Sequence, residues 1–413
     1  MTLEYKEEVL HLDNINIFDV VSTRQTPFYL YSENIISENY LSYSDNLKDI
    51  SSTICYSVKA NSNLSILSIL AKLGAGFDIV SGGELTRVLK SGGDPKKVVF
   101  SGVGKTDDEI IYALEKNIMC FNIESDEELN TVDKIAQKMN TTANISIRVN
   151  PEINVDTHPY ITTGMKDNKF GIEQAQIVSL YKKASSLKGI KIIGIDYHIG
   201  SQIMQLEPYL ESLAKILNII DELDKINIKL NHIDIGGGLG ISYENEDVIP
   251  KKTLMDETLR LIGRRKLSLI IEPGRSIVGE SGILVSKIIN IKRSTTKNFA
   301  IVDAGMNDLI RPPLYNAYHS IKEVSKNSTN KMVYDVVGPI CETADFLGKN
   351  RELSIMKGDC IIVENVGAYG FSLASNYNTR PKTDEYIISN NSIKKIRERD
   401  TIDQILENEL KFL

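Results

Sequence analysis

Eight short apolar runs, each followed by a stretch with helical periodicity, fill the first two thirds of the sequence. The runs are continuously apolar and do not alternate with polar residues, which is typical of parallel strands that are buried on both faces. They lie at residues 53–59, 76–80, 98–101, 118–122, 145–150, 192–198, 232–235 and 267–272. This alternation predicts a (β/α)8 barrel. An open doubly wound sheet stays as the alternative, because periodicity does not separate the two architectures.

After Arg275 the pattern changes to strand-like runs that are punctuated by Gly and Asp, with fewer helical stretches. The sequence therefore predicts an α/β plus all-β chain. The barrel is expected over residues 27–275 and a C-terminal β domain over residues 276–413. Residues 1–26 contain strand-like pieces and are expected to join the β domain.

Composition and charge exclude several classes of protein. The chain of 413 residues carries 48 Lys and Arg against 55 Asp and Glu, a net charge of -7, so it is a poor partner for a nucleic-acid backbone. We find no apolar run of about 18 residues and no secretory pattern at the start, MTLEYKEEVL, so a cytoplasmic protein without membrane contact is expected. The four cysteines lack CxxC spacing, which suits a reducing compartment. The spacing of His, Cys and carboxylate residues predicts no metal site.

Polar residues and glycines follow several of the predicted strands, and in a (β/α)8 barrel the chemistry lies at the carboxyl ends of the strands. Lys59 ends the first strand, His198 the sixth and Glu272 the eighth, while the glycines of GGGLG follow the seventh. A lysine there can form a Schiff base with a carbonyl compound, above all pyridoxal phosphate. Judged alone, each of these residues is more often structural. Together they supply an amine, a ring contact, a phosphate cradle and an acid for a pyridine nitrogen.

Seven motifs that occur in a fixed order carry a resemblance over nearly the whole chain. They are YSVKAN, HIGSQ, GGGLG, EPGR, DAGMNDLIRPPLYNAYH, GPICET and GAYGFSLASNYN. In these motifs the sequence resembles the diaminopimelate decarboxylase family. The resemblance implies the alanine-racemase-like fold, pyridoxal 5'-phosphate as cofactor, and decarboxylation of meso-2,6-diaminopimelate to L-lysine and CO2, the last step of lysine biosynthesis.

The resemblance also implies a role for individual residues. Lys59 would hold the cofactor covalently, His198 would stack on its ring, and Glu272 would pair with the ring nitrogen. The phosphate would be surrounded by five further residues: Ser201, Gly237, Gly238, Gly274 and Arg275. Tyr369 resembles the tyrosine that touches both the phosphate and the substrate.

The substrate would be held at its far end by residues that match the family's motifs. Arg275, Arg311 and Tyr315 would bind the distal carboxylate, and a guanidinium fork suits that task because it forms two parallel charged bonds. Glu342 would meet the distal amine. The sequence has Thr343 after this Cys-Glu pair where we expect serine in many family members, and the hydroxyl is kept.

Cys341 is our candidate for the proton donor after CO2 leaves, because a thiol is protonated at neutral pH and yet releases its proton readily. In the family this cysteine comes from the partner subunit, which implies a homodimer with active sites shared across the interface.

Other functions remain open at this stage. A related decarboxylase on the same fold could act on carboxynorspermidine, ornithine or lysine, and Arg311 argues against it because these substrates give that arginine no distal carboxylate. A catalytically inactive binding protein is a second alternative, and the presence of both Lys59 and Cys341 argues against it.

Overall fold

The computed structural model describes residues 3–153, 168–326 and 330–413, and its contacts divide the chain into two units. We call them the barrel unit and the β unit. The barrel unit comprises residues 39–241 and 247–276, and the β unit comprises residues 1–38, 242–246 and 277–413.

Eight parallel strands close into a ring in the barrel unit. Each strand pairs with the next along the chain, and the eighth returns to the first, where Leu269 lies beside Ser52. The strands are Ser52–Ser57, Gly76–Ile79, Val98–Phe100, Cys120–Ile123, Ala143–Asn150, Ile190–Tyr197, His232–Asp234 and Ser268–Ile271. A ninth short strand, Ile172–Glu173, extends the pairing at the end of the fifth. The predicted (β/α)8 barrel is therefore confirmed, and the open sheet is excluded.

Capped helices follow most of these strands. Ser81, Thr106 and Ser125 each accept a hydrogen bond from the backbone N–H three residues on, and at Thr106 the side chain of Glu109 completes a capping box. Such caps stabilise a helix by about 0.5–2 kcal/mol. The barrel helices are Leu64–Lys72, Gly82–Lys90, Asp107–Glu115, Asp126–Lys138, Gln174–Ser186, Glu207–Lys225 and Lys251–Ile262, and Glu33–Leu47 precedes them.

The β unit is built on a nine-stranded sheet around the long strand Gly282–Arg293. That strand pairs antiparallel with Phe28–Ser32, Asn298–Val302 and Cys360–Val363. The remaining strands of the sheet are Ile321–Glu323, Met332–Val337, Phe346–Leu353, Asp384–Ser389 and Ser392–Arg397. The short helices of this unit are Ile17–Thr23, Arg311–Tyr315 and Ile402–Leu410, and Arg275–Val278 crosses its boundary with the barrel unit.

The N-terminal residues belong to the β unit. The strands Leu3–Lys6, Val9–Leu12 and Ile15–Asn16 form a small sheet, and Leu10 donates a backbone bond to Val324 at 2.9 Å. Phe28–Ser32 lies in the large sheet, although the sequence analysis placed the start of the barrel at residue 27. The β unit in fact extends to residue 38. The prediction starts the barrel too early because an apolar strand pattern does not reveal which sheet the strand joins.

Among the described residues, none of the helices is both long enough and apolar enough to cross a bilayer.

Candidate active site

A cluster of buried carboxylates lies inside the barrel. Asp196, Asp234 and Glu272 come from the sixth strand, the seventh strand and the residue after the eighth, and their oxygens lie within 4.8 Å of one another. Burial raises the pKa of all three, that of Asp234 to about 7, and repulsion from neighbouring buried acids, Asp78 among them, adds to the effect. Arg148 offsets part of this charge, with its Nε 3.9 Å from an Asp196 oxygen. The cluster is therefore an environment that favours a positively charged group.

Metal-ligand spacing in the sequence did not predict this cluster, because its members come from the ends of three different strands. The same cluster suits a pyridine ring, because nearby acids stabilise the protonated, positively charged form of the ring nitrogen.

Lys59 lies directly after the first strand, in the short 3₁₀ turn Val58–Ala60. Its Nζ donates to Oδ2 of Asp78 at 2.5 Å and to the Ser57 hydroxyl at 3.3 Å. Asp78 is fully buried, whereas the Lys59 side chain is 39% exposed. An ammonium at the end of an apolar strand is costly unless it is paired, and here a buried carboxylate compensates its charge and holds the amine at the end of the barrel.

Three glycine-bearing loops meet at the same end of the barrel. Glu272 donates its backbone N–H to Gly236 at 2.7 Å, and a Cβ added to Gly237 would lie only 2.1 Å from the Glu272 carbonyl oxygen. Gly238 has a φ of +100°, and a Cβ there would lie 2.3 Å from the Gly200 carbonyl oxygen. These positions accept no side chain. A phosphate can therefore approach the backbone of this loop at close range.

Arg275 and Ser201, both predicted phosphate ligands, contact each other: Nη2 of Arg275 donates to the Ser201 hydroxyl at 3.1 Å. Gly274 adjoins the Lys59 turn, since a Cβ there would lie 3.0 Å from the Cβ atoms of Ser57 and Ala60. The structure therefore brings the predicted phosphate residues of the EPGR and HIGSQ motifs to the end of the barrel that carries Lys59.

His198 is held with its ring in one orientation, because Nδ1 accepts the Gly237 N–H at 3.3 Å. Burial, and after it the cations of Arg148 and Lys59, keep the pKa of His198 well below its usual range. The imidazole is therefore neutral. A neutral group suits contact with a positively charged ring, because it neither repels the ring nor pairs with the acid cluster in its place.

We expect Gly237→Ala to destabilise the protein by about 1–3 kcal/mol, because the new methyl group would overlap the Glu272 carbonyl oxygen and push two loops apart. If the displaced loops lose about 1.4 kcal/mol of binding free energy for the cofactor, its affinity should fall by about tenfold. Thermal unfolding and titration of the cofactor-free protein measure both effects. Gly104→Ala is the matched control, since its Cβ would meet no atom within 4 Å. Equal behaviour of the two variants would contradict the proposed cradle.

The predicted substrate-binding arginine lies in the β unit. Arg311 begins the short helix Arg311–Tyr315 and is 5% exposed, and Tyr315 at the end of that helix is half-buried. The Arg311 guanidinium lies over the ring of Tyr243, 4.7 Å from its centroid, and Nη1 contacts the ring nitrogen of His319 at 3.0 Å. A solvated arginine on a rigid turn is therefore excluded.

The predicted proton donor, Cys341, is exposed on a loop of the β unit. Its backbone N–H donates to the Asn378 side chain at 3.1 Å, and the buried Asp345 carboxylate accepts the neighbouring Ile340 N–H at 2.6 Å. Glu342 accepts the Tyr377 hydroxyl, and this bond raises the pKa of Tyr377. The loop that carries the thiol is therefore fixed through its backbone, while the thiol itself faces solvent.

Tyr369 has a positive φ of 57°, a strained conformation for a residue with a side chain, and it is half-buried. Such strain is a feature of functional sites.

Several residues that contact the candidate site residues of the two units were not predicted from the sequence. They are Asp78, Arg148, Asp196, Asp234, Tyr243, His319, Asp345, Tyr377 and Asn378. The three aspartates of the barrel had a visible signal, because each is the only acid within a short buried strand.

Comparison with known proteins gives one consistent answer. The family model described as "Pyridoxal-dependent decarboxylase, pyridoxal binding domain" matches residues 33–279. The diaminopimelate decarboxylase of Neisseria meningitidis is 47% identical over 388 residues, 94% of this chain and 96% of the relative. That of Aquifex aeolicus is 44% identical over 99% of this chain and 97% of the relative.

Solved structures agree with these sequence matches. The diaminopimelate decarboxylase of Helicobacter pylori complexed with L-lysine superposes with a TM-score of 0.94 and is 44% identical, covering 96% of this chain and all of that one. The enzyme of M. jannaschii in complex with L-lysine gives a TM-score of 0.95 at 36% identity, covering 99% and 97% of the two chains.

Proposed function

The chain belongs to the diaminopimelate decarboxylase family of pyridoxal-phosphate-dependent enzymes, and from that premise we propose how its own residues perform the reaction. The reaction is the decarboxylation of meso-2,6-diaminopimelate to L-lysine and CO2. The observation that carries the residue assignment is Lys59, paired with the buried Asp78 at the end of the barrel that also holds the acid cluster and the glycine loops.

The barrel unit binds the cofactor. Lys59 would hold it covalently, His198 would lie against its ring, and Glu272 would pair with the ring nitrogen. The phosphate would be bound by the glycine loops with the residues that accompany them: Ser201, Gly237, Gly238, Gly274 and Arg275. The bound cofactor supplies a conjugated, positively charged ring that accepts the electrons of the breaking bond between Cα and the carboxylate.

Asp78 has a defined task in this scheme. Its Oδ2 accepts a hydrogen bond from the Lys59 amine at 2.5 Å and another from the Ser57 hydroxyl at 2.8 Å. Asp78 would hold the amine of Lys59 in place by charge and geometry whenever that amine is not joined to the cofactor.

A second group of residues binds the end of the substrate that does not react. Arg311 binds the distal carboxylate together with Arg275 and Tyr315, Glu342 binds the distal amine, and Tyr369 contacts the phosphate and the substrate. The burial of Arg311 supports this role, because a buried guanidinium forms stronger bonds to a carboxylate than a solvated one does.

Cys341 donates the proton that replaces the departing carboxylate. Its exposure in the single chain supports a homodimer in which the thiol completes the active site of the partner. We place this enzyme in the cytoplasm, where its four cysteines, none of which forms a disulfide, would stay reduced.

A substrate panel tests the assignment of the substrate. The holoenzyme should release CO2 from meso-diaminopimelate at least about 10²-fold faster than from L-lysine or L-ornithine, because a site built to bind a polar group rejects analogues that lack it. Measurement of kcat/KM for each substrate gives the ratio. Equal rates with lysine or ornithine would contradict the role of Arg311 and favour a decarboxylase of other basic amino acids.

A further inference from the structure

A buried histidine connects the Arg311 side chain to the backbone of the β unit. His319 is fully buried, and its Nδ1 lies 2.8 Å from the carbonyl oxygen of Glu364. Its Nε2 lies 3.0 Å from Nη1 of Arg311. The imidazole thus stands between a carbonyl group that is fixed at the end of the strand Cys360–Val363 and the guanidinium that is proposed to bind the substrate.

These two contacts determine the protonation of the ring. A carbonyl oxygen only accepts hydrogen bonds, so Nδ1 of His319 carries the hydrogen and donates it to Glu364. A guanidinium only donates, so Nε2 must accept from Arg311. His319 is therefore neutral, with its proton on Nδ1.

The guanidinium is held from a second direction by an aromatic ring. Its central carbon lies 4.7 Å from the centroid of the Tyr243 ring, and that ring meets His319 edge to face at 5.1 Å and 82°. Neither His319 nor Tyr243 carries a charge that would neutralise Arg311. The two contacts fix the direction of the guanidinium and add no opposite charge to it.

We propose that His319 is a positioning residue for substrate recognition: its neutral imidazole sets the orientation in which Arg311 meets the distal carboxylate. This inference rests on the proposed function of Arg311. A displacement of about 1 Å in a binding group lowers activity by about 10²-fold, so loss of this support should be measurable.

Two ligands that differ by one carboxylate isolate the effect. L-lysine is the product, so it binds with its side-chain amine toward the cofactor and with the carboxylate that was distal in the substrate toward Arg311. 1,5-Diaminopentane has the same two amines and lacks this carboxylate. Their affinities for the holoenzyme are measured through the change in cofactor absorbance, and the ratio of the two affinities reports on the carboxylate site alone.

Two variants of His319 separate support from packing. His319→Phe keeps the ring volume and removes the acceptor, so we expect the lysine to diaminopentane ratio to fall by about tenfold or more. His319→Gln keeps an acceptor near the position of Nε2, so it should recover part of the ratio. KM for diaminopimelate should rise more in His319→Phe than in His319→Gln. Thermal unfolding and cofactor titration identify any variant that fails to fold.

Two further variants make the outcomes distinguishable. Lys322→Gln breaks the half-exposed ion pair with the Glu364 side chain, at 2.9 Å, and should leave the ratio within about twofold of the wild type. Arg311→Ala should abolish the preference for lysine. If Arg311→Ala does so and both His319 variants keep the wild-type ratio, or if they weaken both ligands equally, the positioning role is wrong. If Arg311→Ala itself keeps the ratio, the proposed function of Arg311 fails, and the role of His319 fails with it.

Discussion

Lys59→Ala is expected to lower the rate of decarboxylation by on the order of 10⁴-fold or more. The variant lacks the amine that we propose to hold the cofactor covalently, and loss of a single catalytic group already costs about 10²–10⁴-fold. The structure supports so large an effect, because the amine lies at the end of the barrel that carries the acid cluster and is held 2.5 Å from Asp78. Activity assays with purified protein, together with the absorbance of the bound cofactor, measure the loss.

The control for this variant is Lys96→Ala, an exposed lysine in the same unit. It should keep wild-type turnover, since surface substitutions change stability by only about 0.5 kcal/mol. A folded Lys59→Ala protein with substantial decarboxylase activity would remove Lys59 from the mechanism, because no other described lysine follows a barrel strand with a buried aspartate as its partner.

Cys341→Ala is expected to slow the formation of lysine by about 10²–10⁴-fold, the usual contribution of a general acid. Its loop is fixed through Asn378 and Asp345, so removal of the exposed sulfur should leave the backbone in place. The matched control is Cys360→Ala, which removes a half-buried thiol from a strand of the same unit and should change turnover by less than about twofold. Wild-type lysine formation by Cys341→Ala would exclude the thiol as donor.

Mixing the two inactive variants tests whether the thiol acts on the partner's site. If Lys59 and Cys341 come from different chains of a homodimer, half of the randomly reassorted dimers are mixed, and each has one intact site. About a quarter of the wild-type activity should therefore return. If subunit exchange is demonstrated and no activity returns, both residues act within one chain.

Much of the fold could be predicted because buried parallel strands leave a strong local signal. All eight barrel strands were found from apolar runs. The membership of Phe28–Ser32 was not found. Its partner strands begin at residues 282 and 384, and pairing over such a separation leaves no trace in local periodicity.

The candidate site was predicted in part for the same physical reason. Lys59, His198 and Glu272 occupy strand ends, a position that the fold itself marks as functional. Asp78, Asp196 and Asp234 lie within strands, and only the closure of the ring brings these acids together. His319 stood inside a quoted motif, yet its contact with Arg311 depends on two hydrogen bonds that spacing does not reveal.

The central claim is that the amine of Lys59 carries the cofactor. Reduction of the purified, active protein with borohydride, followed by peptide mapping with mass spectrometry, tests it directly. The account predicts one modified peptide that contains Lys59 with a pyridoxyl group on its side chain. A pyridoxyl group on a different lysine, or active protein that is colourless and holds no pyridoxal, would contradict it.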